Sequence, residues 1–422
     1  MKKENEKTNK KKEEGITLVT LVITIIILII LATVTINAVF GDNGLIKQAE
    51  YAKDLSANST EAEYEGMNRL YDEYMNTIEE DNNIPMKPAI PSTVEEAKES
   101  QFVFTEKTVI EDEHGNKITI PEGFKVPEDS GDTVHEGVVI EDVSASEDEN
   151  VQGSQYVWIP VGKFIKDDGT ESNEIVLGRY TFNATDGTPN LEQEAVNYME
   201  STVINSHYTE LWTYREGIES SGLDGLNATA KDLQGFIESV NENKGYYIGR
   251  YEASYASGDS SDYASCKAVS KHTTGYSTTS MTYSEGTLWN YITQINASKV
   301  AINTYEDSEV IRSDLINSYA WDTAIVYIQE AGNVNYANKT SENGSIVNSG
   351  ENGDEVCKIN DMASNLYEWT TEHAIDADSN SAYPCVTKGG HYAYNTNFAY
   401  GRSYYISSDN DYNIGFRLNL YF

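Results

Sequence analysis

The sequence predicts an α+β protein: an N-terminal transmembrane and stalk helix, then a domain of short antiparallel strands with two or more helices. Three observations carry this. Ile16 to Phe40 runs twenty-five residues without a charge. Met67, Leu70, Tyr71, Tyr74 and Ile78 recur at helical spacing of three and four. From Thr108 onward the pattern changes to short strands, ending on Ile414, Phe416, Leu418, Leu420 and Phe422, alternate residues that predict one buried face.

The first of these defines a membrane segment. At 1.5 Å per residue a helix of that length reaches roughly 38 Å, against about 30 Å of bilayer hydrocarbon. Residues 1–15 precede it with six lysines and four glutamates, a basic flank that stays cytoplasmic and leaves the C-terminal part extracellular. Gly15 stands at the junction, and no small-residue cleavage site of the secretory kind follows. Lys-rich leader, Gly15, then Ile16-Thr17-Leu18-Val19-Thr20 opening a helix: this resembles the bacterial type IV prepilin family. The resemblance implies cleavage between Gly15 and Ile16 by prepilin peptidase. The family's Glu at the fifth mature position is replaced here by Thr20, which weighs against filament assembly though not against insertion.

Composition suits a protein displayed outside the membrane. A net charge of −38 excludes nucleic acid and anionic lipid surfaces as partners. Residues 41–80 read as a helical stalk, whose apolar stripe serves either its own domain or pilin-like self-association. Pro85, Pro88 and Pro91 make residues 81–100 a semi-rigid extended linker. Residues 101–154 form a small β region, in which Thr108–Ile110 and Lys117–Ile120 pair about a turn at Gly115-Asn116. Glu141 to Gly153 is an acidic exposed loop. His114 and His135 are turn residues, and Cys266, Cys357 and Cys385 are too scattered for a disulfide framework or a zinc site.

From Gln155 the motifs multiply. Tyr156–Val161 and Tyr246–Glu252 read as strands; Ala230–Val240, Leu288–Ile302 and Tyr319–Gln329 read as helices. VWIPVGKF, YYIGRYEAS, AWDTAIVYI, DMASNLYEWT, KGGHY and NIGFRLN stand in order over residues 155–422. Together they resemble the formylglycine-generating enzyme, or sulfatase-modifying factor, family, which implies a C-type lectin-like domain. The family's oxidase carries two copper-binding cysteines after the Gly-Gly; here those positions fall at Tyr394 and Ala399, so no catalytic residue is assigned. No metal site is assigned either, although the many Asp and Asn side chains are compatible with a structural calcium ion.

Between Gly390 and the final strand lie Tyr392, Tyr394, Tyr400, Tyr404, Tyr405 and Tyr412 among serines and asparagines, the composition of a binding surface. The candidate ligand-binding residues are His391, Tyr394, Asn395, Asn397, Tyr400, Arg402, Tyr404 and Tyr405. The expectation is an adhesion or recognition protein anchored by a single span, with a glycan or protein ligand. A structural pilin-like subunit is the alternative, and a sulfatase-modifying type of enzyme the third reading.

Overall fold

Buried aromatic strands and one wholly buried helix organise the described chain. The structure, a computed structural model, describes residues 89–195, 208–210, 233–279, 283–341, 344–374 and 385–422. The expected cleavage between Gly15 and Ile16, the 16–40 span and the 41–80 stalk lie outside these residues. Among the described residues no helix is long and apolar enough to cross a membrane.

Two larger sheets carry the architecture. The first has six strands, in the spatial order Arg312–Leu315, Leu418–Tyr421, Gly245–Gly249, Gln155–Pro160, Val139–Asp142 and Phe124–Lys125, antiparallel throughout. The second runs Arg402–Tyr405, Cys385–Lys388, Tyr367–Ala374 and Ile414–Phe416, with Tyr208–Glu210 also pairing onto Tyr367–Ala374. Its Tyr367–Ala374 and Ile414–Phe416 strands are parallel, while its other pairs are antiparallel. The α+β class is therefore present, with antiparallel pairing dominant.

The helix Ser318–Glu330 starts at Asn317, whose side chain accepts from the Ala320 N–H at 2.9 Å. Every residue from Ser318 to Gln329 is buried, because the helix packs on strands Gly178–Phe182, Gln155–Pro160 and Tyr367–Ala374. The helix expected over 288–302 starts later, at Gln294, and runs to Thr304. Tyr291 is left-handed at φ 56°, which breaks any helix there, and Thr293 supplies the cap. The helix expected over 230–240 is Leu233–Asn243, and Lys244 leaves it at φ 60°.

The stretches ahead of Gln155 add detail to this picture. The stretch 81–100 is not extended to its end: Val94–Ser100 is a helix capped by Thr93, with Val94 and Ala97 buried. The 101–154 stretch has no core of its own, since Ile110, Ile118, Phe124 and Ile140 belong to the same apolar cluster as Trp158, Trp321 and Phe416. Its acidic loop begins with a buried carboxylate: Asp142 accepts from the Tyr305 hydroxyl at 2.8 Å, and burial holds its pKa above the ordinary range.

The terminal alternation also proves to be two strands. Ile414–Phe416 joins the second sheet and Leu418–Tyr421 the first, and all eight residues from Ile414 to Tyr421 are buried. Of the two intervening polar residues, Arg417 finds charged and carbonyl partners instead of solvent, while the Asn419 side chain is buried without a hydrogen-bond partner among the described residues. Arg417, fully buried, donates to Glu368 at 2.6 and 3.0 Å, to the Gly249 carbonyl at 2.7 Å and to the Asn360 carbonyl at 2.7 Å. One guanidinium thus fastens the two sheets together.

Candidate binding face

The Lys388-Gly389-Gly390-His391 turn sets the site. Gly389 has φ 84°, and a Cβ there would lie 2.7 Å from the Met362 carbonyl oxygen. At Gly390 it would lie 2.4 Å from the Ala363 carbonyl oxygen. Only glycines let this turn lie flat against the Asp361–Asn365 loop. That close approach delivers His391 among tyrosine rings, with centroid distances of 4.3 Å to Tyr367, 4.8 Å to Tyr394 and 5.4 Å to Tyr392.

His391 is buried, and burial lowers its pKa to about 4, so the ring is neutral at physiological pH. Its Nδ1 accepts from the Ala393 N–H at 3.3 Å, which assigns the ring proton to Nε2. That Nε2 has no hydrogen-bond partner among the described residues. Above it Tyr394 is 58% exposed. A tyrosine face therefore surrounds a buried N–H donor with no acceptor.

Beneath the face lies a network of buried charges. Lys388 donates to Asp322 Oδ1 at 2.6 Å and to the Tyr400 carbonyl at 3.3 Å. Arg402 donates to Asp322 Oδ2 at 2.8 Å and to both Glu372 oxygens at 3.1 Å. Burial, with Arg402 alongside, lowers Lys388 to about 8 despite Asp322 and Glu372. Burial alone would raise Glu372, yet Arg402, Arg179 and Lys388 hold it down at about 2. Two carboxylates facing Lys388 and Arg402 fix strands Cys385–Lys388 and Arg402–Tyr405 against the central helix. This geometry ties the two strands and the helix into one platform.

A second buried group sits around Arg417. Glu252 accepts from Asn365 at 2.6 Å and from the Leu366 N–H at 3.0 Å, and burial, then Asp361 and Glu368, push its pKa far up. Burial raises Asp361 to about 7; its Oδ2 accepts from Ser349 at 3.0 Å and from the Gly350 N–H at 2.8 Å. Asp361 Oδ2 thus ties the 349–350 loop to the Asp361–Asn365 loop.

The predicted ligand residues divide. Tyr394 and Asn395 are exposed. Asn397 is half-buried and donates to the Tyr367 hydroxyl. Tyr400 stacks on Phe398 at 5.4 Å and lies 5.5 Å from Phe182. Tyr404 is half-buried on its strand, and Tyr405 packs between Tyr367 and Trp369 at 6.2 and 5.5 Å. Arg402 keeps 17% of its side chain exposed, while its guanidinium is engaged by the buried carboxylates of Asp322 and Glu372. Tyr412, set beside Tyr392 and Tyr291 at 6.4 and 6.1 Å, extends the aromatic face.

The charge network was not foreseen. Its signal was a charge inside an apolar run: Asp322 in AWDTAIVYI, Glu368 and Glu372 in YEWTTE, Arg417 in GFRLN. Ala399, one of the two positions aligned with oxidase cysteines, is buried and its carbonyl accepts from the Trp321 indole at 3.0 Å. Cys266, Cys357 and Cys385 are free thiols.

No protein-family model matches the chain, and no curated protein does. Among solved structures the chain is similar to the Treponema denticola variable protein 1, at 11% identity and a TM-score of 0.25, over 42% of this chain and 95% of that one. A likeness of that size carries no argument about this protein.

Proposed function

We propose that the chain is a prepilin-like, membrane-anchored surface protein whose domain, of C-type lectin-like fold, binds a ligand on the His391–Tyr412 face and performs no oxidase chemistry. The observation that carries this reading is the exposed Tyr394 ring beside a buried imidazole N–H without an acceptor. An unmatched buried donor is unfavourable by about 1–3 kcal/mol, a deficit that a ligand oxygen would remove. Tyrosine supplies rigid contact area on both sides of it. The ion-paired platform beneath keeps the face preformed, so little ordering accompanies binding. Arg402 and Lys388 are neutralised internally, so the ligand is recognised by hydrogen bonding and ring contact instead of by charge.

The lectin-like assignment draws support from helices packed on antiparallel sheets and from a C-terminal strand held inside a sheet. The test is an array of glycans and surface proteins probed with residues 89–422, as wild type and as Tyr394→Ala. A ligand bound by the wild type and lost by the variant supports the reading. A bound ligand indifferent to Tyr394 places recognition elsewhere.

A further inference from the structure

One flank of the tyrosine face is held by a device other than the ion-paired platform. Ile346 packs with Leu288 and Leu366, and half-buried Tyr392 rests against this cluster. The Val347 N–H donates to the Asn365 side-chain oxygen at 3.0 Å, and the Asn365 carbonyl accepts from the Tyr392 N–H at 3.0 Å. A little further along, the Ser349 hydroxyl and the Gly350 N–H both donate to Asp361 Oδ2, while the Glu252 N–H donates to Ser349 Oγ at 3.1 Å. The 346–350 segment therefore joins the flank that carries Tyr392 to the buried carboxyl groups around Arg417. Asp361 at φ 67° and Asn365 at φ 59° are both left-handed, a conformation that residues other than glycine keep only where their surroundings impose it.

The charges at that junction do not balance. Four buried carboxyl groups lie in or around the Asp361–Glu368 stretch: Glu252, Asp354, Asp361 and Glu368. Glu368 is met by Arg417 and Asp354 by Lys339, each at 2.6 Å. Among the described residues no cation stands within ion-pair distance of Glu252 or Asp361, since the hydrogen bonds of Arg417 go to Glu368 and two carbonyls. Glu252 accepts only from the neutral Asn365 amide and the Leu366 N–H. Asp361 Oδ1 is buried without a hydrogen-bond partner among the described residues. Tyr251 and Tyr336 also face Asp361, but burial keeps both as neutral phenols. Two neighbouring carboxyls so placed cannot both ionise in a low-dielectric interior, and at least one keeps a proton. Burial, the largest influence on each, raises Asp361 to about 7 and Glu252 far above the ordinary range.

We propose that a proton held by the Glu252–Asp361 carboxyl pair latches the Ile346–Gly350 segment against the Tyr392 flank of the tyrosine face, and that loss of this proton lets the flank open. The latch itself stands on the charge count and the hydrogen bonds; only its effect on a ligand rests on the reading of the face as a binding surface. The sign follows from where the proton sits in each state. In the closed state the pair keeps it. Once the segment opens, Asp361 meets water and releases the proton as an ordinary carboxyl does, at a pKa of about 4. Opening therefore becomes about tenfold more favourable per pH unit between about pH 4 and about 7, and levels off above that. A ligand that needs Tyr392 and His391 in place is accordingly favoured in mildly acidic medium. His272, exposed and 3.7 Å from Glu351, faces the same loop from outside and titrates independently of the pair.

The experiment is hydrogen–deuterium exchange of the full chain in detergent, read by mass spectrometry from about pH 5 to about 8 and corrected for the chemical exchange rate. Protection of segments 346–350 and 391–394 should fall by about tenfold per pH unit up to about pH 7 and level off above it. Both segments should exchange faster than the buried Ser318–Gln329 stretch, whose exchange reports opening of the whole fold. Asp361→Asn, which keeps an uncharged side chain at the pair, should flatten the profile, and His272→Gln should leave it intact. A wild-type profile without that slope overturns the proposal, whether or not Asp361→Asn folds. Exchange of the two segments in step with the helix overturns it too, as does a slope that survives in Asp361→Asn or vanishes in His272→Gln. No ligand enters the measurement, so a failed array screen counts against the binding reading alone, and the latch is judged by its own profile.

Discussion

Side chains that share the tyrosine-rich stretch do different work, and stability measurements separate them. Tyr394 is exposed, so its replacement by Ala should leave the melting temperature within about a degree, as surface changes usually do. Tyr405→Ala removes a ring packed on Trp369 and Tyr367, and should destabilise by about 1–3 kcal/mol. Denaturant titration of the two variants reads the difference; equal losses would mean that the exposed ring is part of the core. Protonation offers a second check at this scale. Between the ordinary carboxyl pKa of about 4 and about 7, folded protein keeps a proton on Asp361 that the unfolded chain releases. Stability should therefore fall as pH rises through that window, by about 1.4 kcal/mol per unit of pKa difference. Glu372 acts oppositely: held at about 2, its contribution is complete above the ordinary value of about 4.3 and is lost as pH falls toward 2. Melting curves should thus peak on the acid side of neutrality, and Asp361→Asn should flatten the decline from about pH 4 to about 7. A decline that Asp361→Asn leaves untouched would assign it to another group.

At the scale of elements, the C-terminal pair of strands tests how the sheets are joined. Arg417→Met leaves Glu368 buried without its partner, a loss of about 3–5 kcal/mol, and adding Glu368→Gln should restore part of it. Ending the chain after Gly415 removes Phe416, Leu418 and Leu420 as well, at roughly 1.5–3 kcal/mol each, which together reach the whole stability of about 5–15 kcal/mol. A truncated chain with an unshifted melting curve would contradict the sheet assignment. Much of the element order was legible beforehand. The hairpin about Gly115, the strand closed by Pro160 and the helix near 319–329 all carry local signals: turn residues, a ring that cannot continue a ladder, a helical apolar period. What stayed hidden depends on distant partners. Arg417 looked like a solvent-facing residue because alternation assigns every second side chain to water; only a buried Glu368 on another strand makes the opposite face tenable. The left-handed Tyr291 that delays the helix to Gln294 has no local signal either.

At the scale of the whole molecule, the described chain from Ala89 to Phe422 is one contact unit with a continuous core, and its charged residues are sorted by depth. Buried ones pair to hold strands in place, while the remaining acidic excess keeps the surface strongly negative. Composition marks the candidate stretch but does not tell which of its side chains stay exposed. Tyr394 and Asn395 are exposed, whereas Arg402 pairs with Asp322 and Glu372 and Tyr405 packs on Trp369. The same platform that withdraws Arg402 from a ligand is what would hold the tyrosine face rigid. The most direct measurement of that claim is the dissociation constant for the array ligand, by calorimetry, with wild type, Tyr394→Ala and His391→Phe. Both variants should lose about 1–3 kcal/mol of binding free energy while Tyr394→Ala keeps the wild-type melting temperature. Affinities that match the wild type in both variants would contradict the account.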